Sequence, residues 1–156
     1  MNKNFEKHLF WIENLNTEVI NFLSKLQKKE SKFTYYPALE GLTEEGKKLN
    51  LGFSCFAAKI KYILNESKDF NDEEKKNWSD YINSFQKEIN SQPKNSYIDD
   101  NFLQFHESQN YIKFIKNNIK KLLNKTNYFD FNSEREDLVN YIKAETKQAI
   151  STIYEM

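Results

Sequence analysis

The sequence predicts an all-α fold of five to six helices arranged as antiparallel helical hairpins in a single domain spanning residues 1–156. Apolar residues return at steps of three and four in every long segment, which places them on one face of a helix. Two capping-box patterns, Asn71 with Glu74 and Ser133 with Glu136, mark helix starts. No run of alternating apolar and polar residues reaches strand length.

In chain order, Phe5, Leu9, Ile12, Val19, Leu23 and Leu26 form the first stripe. It reads as one long amphipathic helix, with Asn16 or Thr17 before Glu18 as an alternative cap that would break it in two. Glu30 to Glu40 loses the repeat and holds Tyr35, Tyr36 and Pro37, where proline's fixed φ and missing N–H suit a turn. The stretch Leu42 to Leu64 has the cleanest repeat, through Leu49, Phe53, Phe56, Ile60 and Ile63. Thr43 suits its N-cap, with Glu44 and Glu45 in the first turn where the helix dipole favours negative charge. Gly52 marks either a kink or a second start at LGFSC. Small residues around Phe53 and Phe56 would admit a close neighbour, so these rings are expected to be buried against Trp78, Ile82 and Phe85.

Asn71 opens the next helix, whose apolar face is Trp78, Tyr81, Ile82, Phe85 and Ile89. Asn90 to Ser96, with Pro93, reads as a loop, and a further helix starts between Asp100 and Ser108, carrying Ile112, Ile115, Ile119 and Leu122. Thr126 to Asn132 breaks that pattern, and Ser133 starts the last helix through Leu138, Ile142, Ala149 and Ile153. With no cap at its end, the apolar surface around Ala149, Ile150 and Ile153 is expected to be uncovered.

Charge balance restricts the partners. With 23 basic and 23 acidic residues the net charge is zero, so no general attraction to nucleic acid is expected. The longest uncharged run, Leu49 to Ala58, is about half the ~20 residues needed to span a bilayer, so no membrane span is expected. No signal peptide is visible in MNKNFEKHLFWIENL, and the lone Cys55 lies in the most apolar segment, so the reading is a soluble, cytoplasmic protein with a buried thiol.

Residues able to carry chemistry are few. His8 and His106 stand outside any HExxH or Cys/His arrangement, so no metal is expected, and three glycines cannot build a phosphate cradle, so no cofactor is expected either. Asp99 and Asp100 are adjacent aspartates that would cap the following helix or, with Tyr97 and His106, line a cleft between helices. Lys113, Lys116, Lys120, Lys121 and Lys125 give one helix a positive face, which is either solvated with its stems over the core or open to an anionic partner.

Three segments, LGFSCFAAKIKYIL, WSDYINSFQKEINSQPKNSYIDDNF and AETKQAIS, are together similar to the helical repeats of the α/α-toroid group, the terpenoid cyclase and protein prenyltransferase-like folds. The turn after Phe85 and Gln86 departs from the group's pattern, with Lys94, Asn95 and Ser96 where a glycine is looked for. The resemblance implies an incomplete toroid, the N-terminal part of a larger protein acting on a lipid or carbohydrate. No zinc set or acidic motif of those enzymes can be placed here, so the chain alone is expected to catalyse nothing. Its partners would be the remaining helices of a longer chain, or a second copy through the C-terminal helix. The alternative is a self-contained helical protein-protein interaction module.

Overall fold

The computed structural model describes residues 3–89, 93–123 and 131–156. Among these are six α-helices: α1 (Lys3–Leu26), α2 (Glu44–Lys48), α3 (Leu51–Ile63), α4 (Asp72–Asn83), α5 (Asp100–Leu123) and α6 (Phe131–Glu155). The fold is all-α. A 3-10 turn at Glu66–Asp69 and an antiparallel pair, β1 (Gln86–Lys87) and β2 (Ser96–Tyr97), complete it, with Gln86 opposite Tyr97. Strands of two residues are too short to leave an alternating pattern, so periodicity does not find them. Among the described residues no helix is long and apolar enough to cross a membrane.

α1 runs unbroken through Asn16 and Thr17, each of which costs a helix interior only a few tenths of a kcal/mol. Leu42 to Leu64 divides into α2 and α3 at the second start offered at LGFSC, with Leu49 extended at φ −67°, ψ 136°. Thr43 caps α2 by accepting from the Gly46 N–H at 3.0 Å. The Asn71–Glu74 capping box is formed at the start of α4. That helix stops at Asn83, so Phe85 and Ile89 lie beyond it rather than on its face. Ser133 does not open the last helix: α6 begins at Phe131, and a Ser-x-x-Glu pattern is tolerated inside helices because serine is only mildly unfavourable there. Of the expected loops, residues 90–92 and 124–130, with Lys125, lie outside the described residues. In the β1–β2 connection Asn95 takes φ +60°, the left-handed conformation that a glycine was expected to supply and that asparagine tolerates.

The core requires a correction. Phe56 is 54% exposed and Ile63 76% exposed, while Phe53 and Ile60 are only partly buried. The buried face of α3 is the small one: Leu51, Ser54, Cys55, Ala57 and Ala58. Short side chains allow the backbones of α3 and α6 to approach, and α6 presents Ala149 and Thr152, both fully buried, in its most extensive packing contact. Bulky rings on that face would hold the two helices apart. The aromatic mass lies instead where α4 meets the segment after α1. Phe33 packs edge-on to Trp78 at 5.0 Å and stacks on Tyr81 at 5.6 Å, and Tyr35 stacks on Trp78 at 6.3 Å. The expected linker therefore supplies core, with Tyr35 held by the Tyr36 N–H to Leu26 carbonyl bond on one side and the bridge to Gln27 on the other.

Candidate functional site

The break between α2 and α3 leaves carbonyls at one helix end and N–H groups at the next without partners inside either helix. Three distant side chains satisfy them: Lys28, Asp99 and Asn101, whose Nδ2 donates to the Lys48 carbonyl at 3.1 Å. The Lys28 amine, buried behind Tyr36, donates to the carbonyls of Lys47 (2.5 Å) and Leu49 (3.1 Å) and to Asn50 Oδ1 (2.7 Å). Burial lowers its pKa, against the opposing pull of Asp99 and Glu30. From the other side Asp99 Oδ2 accepts from the N–H groups of Asn50 (2.6 Å) and Leu51 (3.2 Å), at the start of α3. Asp99 Oδ1 accepts from the Asn101 N–H at 2.9 Å, at the start of α5. One buried carboxylate thus caps two helices, each with the dipole orientation that favours negative charge.

The other sequence-predicted residues are dispersed around this junction. Tyr97 is buried, its hydroxyl donating to Asn83 Oδ1 at 2.7 Å and its N–H to Thr146 Oγ1 at 3.0 Å, so it joins β2 to α4 and α6. Asp100 is exposed and paired with Lys87. His106 is half-buried on α5, its ring 6.0 Å from Phe102. Only Asp99 of the four reaches the buried junction, and Tyr97 serves packing and hydrogen bonding beside it. Lys116 is exposed on α5, while the side chains of Lys113, Lys120 and Lys121 lie outside the described set.

Sequence reasoning missed Glu145, which no motif marks. Its carboxylate lies over the first turn of α3, where a Cβ on Gly52 would stand 3.1 Å from Oε1. Gly52 is therefore the residue that lets this carboxylate approach. Glu145 Oε2 is buried with no hydrogen-bond partner, and desolvation raises the carboxyl's pKa despite a hydrogen bond with Tyr141. Nearby, burial pushes the Cys55 thiol and the Tyr81 hydroxyl each up to about 12, which keeps both neutral. The cluster is built to hold protons, not to release a nucleophile at neutral pH.

The outer surfaces of α1 and α5 differ in kind. Phe10, Trp11, Leu15 and Phe22 are exposed on α1, and Tyr111, Ile112, Phe114, Ile115 and Ile119 on α5. Leu23 and Leu26, in the last turn of α1, are the buried continuation of its stripe. On α6, by contrast, Ala149 is fully buried and Ile153 packs on the core, leaving Ile150 and Tyr154 outside. Comparison with protein-family models, curated proteins and solved structures finds no match to this chain.

Proposed function

We propose that the chain is a non-catalytic helical interaction module that joins a second copy of itself, with α1 of one copy against α5 of the other. The supporting observation is a pair of exposed apolar rows on the same chain, with Trp11 61% and Tyr111 67% exposed. Contiguous apolar surface of this kind marks an interface. The two segments that carry the rows differ in charge along the sequence. Between Phe10 and Phe22, α1 carries Glu13 and Glu18 and no basic residue, while between Tyr111 and Leu123, α5 carries Lys113, Lys116, Lys120 and Lys121 and no acidic one. At 1.5 Å per residue the rows run about 18 Å on α1 and about 12 Å on α5, lengths suited to helix-on-helix packing. A two-fold arrangement would use both rows twice.

Sedimentation velocity across a wide concentration range tests this. Association is expected, lost in Trp11→Asp and in Ile115→Asp while the thermal melt of each variant stays cooperative. A Lys116→Glu chain should regain association when mixed with Glu18→Lys. A monomer at every concentration would overturn self-pairing. In the competing reading, a larger toroid-type protein acting on a lipid or carbohydrate, further helices of the same polypeptide would cover these rows, and a longer native product would reveal it.

A further inference from the structure

Between the end of the β1–β2 connection and α6 lies a groove of about 660 Å³, well inside the range of small-molecule sites. Its floor is Ile142, fully buried, and its far wall is Ile150 and Tyr154, both exposed. Lys143 and Lys147, one turn apart on α6, stand at the other end, and Lys94 faces them from the hairpin. Among the described residues no carboxylate lines the groove, and none pairs with these three lysines. The serine and threonine hydroxyls present are already used, which leaves the exposed Tyr154 hydroxyl at the far wall. Ser96 donates to the Pro93 carbonyl at 2.6 Å, Ser151 to Glu155 at 3.1 Å, and Thr146 accepts from the Tyr97 N–H.

We infer that this groove binds a free medium-chain aliphatic carboxylate, its head at Lys94, Lys143 and Lys147 and its chain along Ile142, Ile150 and Tyr154. At the end where the three lysines stand the open hydrogen-bonding groups are ammonium donors, so the polar end of the ligand must accept hydrogen bonds and carry negative charge. The apolar lining runs along α6 from Ile142, beside Lys143, to Ile150 and Tyr154 beyond the lysines. Lys147 and Tyr154 are roughly 10 Å apart along the helix axis, which suits a chain of moderate length. This site is independent of the α1 and α5 rows.

The test is titration of the intact chain with decanoate below its micelle concentration, followed by amide chemical-shift mapping. Shifts are expected on α6 from residue 142 to 154 and on residues 93–96. Octanoate should bind roughly ten-fold more weakly, as expected for two methylenes at about 0.8 kcal/mol each. Lys143→Gln and Lys147→Gln, both on exposed side chains, should each weaken decanoate by roughly three- to five-fold, the scale of an accessible ion pair. Ile150→Ser should weaken it further without changing the melt. Decyltrimethylammonium should not bind. Equal binding of that cation, shifts confined to α1 and α5, indifference to both lysine substitutions, or binding to anionic vesicles without binding to monomeric decanoate would each overturn the inference.

Discussion

The α3–α6 contact and the outer rows of α1 and α5 both use apolar side chains but end in opposite states. At the first, small side chains and Thr152 meet backbone to backbone, and even polar atoms are engaged: Ser54 bonds the Asn50 carbonyl at 2.7 Å and Thr152 the Gln148 carbonyl at 2.8 Å. At the second, large rings face outward. On α3, the face that is buried is the one that permits close approach and not the one with the rings, because close packing rewards shape as well as apolar area.

The strongest way to break the comparison is at the junction that orients α3. Asp99→Ala removes the acceptor for three backbone N–H groups at two helix starts and for the Asn101 side-chain amide, and about 1–4 kcal/mol of stability should be lost, at 0.5–2 kcal/mol for each of the two caps. Urea unfolding measures it, and a loss under about 0.5 kcal/mol, the level of an uninvolved surface site, would show that water replaces the carboxylate. Ala58→Leu attacks the close approach directly. Overpacking a fully buried position should cost about 1–3 kcal/mol, and a neutral result would mean that α3 and α6 are not in tight contact.

Glu145 gives a pH-dependent effect. Its folded pKa is raised from the ordinary 4.5 by burial, so the folded state favours the protonated carboxyl. The stability this contributes is full below the unfolded pKa and is lost as pH rises through the folded one. Glu145→Gln should therefore stabilise the protein by about 1 kcal/mol at pH 8, the scale of an unsatisfied buried polar group, and by little at pH 4. A gain equal at both pH values would locate the effect in packing instead. The smallest expected change is at Phe56→Ala, where the ring is mostly exposed and the melt should move by no more than about 0.5 kcal/mol of stability. A loss of several kcal/mol there would restore the aromatic stripe to the core.

Much of the helical content was legible: the Thr43 cap, the Asn71–Glu74 box and the buried Cys55 all follow from neighbours within four residues. Asp99 as a cap for α5 was legible for the same reason, through its bond to Asn101. Its second role was not, because Asn50 and Leu51 are 49 and 48 residues away in sequence. Lys28 reaching the α2 carbonyls and Glu145 resting over Gly52 are hidden in the same way.

Local sequence by itself determined that this chain is helical, where most helices begin, and which residues are apolar, since those properties depend on propensity, caps and a period of 3.6. Only the tertiary structure decided which distant side chains hold the division of Leu42–Leu64 that the sequence offers at LGFSC, which face of α3 is core, and that the rows on α1 and α5 are exposed. Those outcomes depend on long-range partners competing for the same backbone groups and surfaces, and a small-residue face wins that competition when it brings two helices closest together.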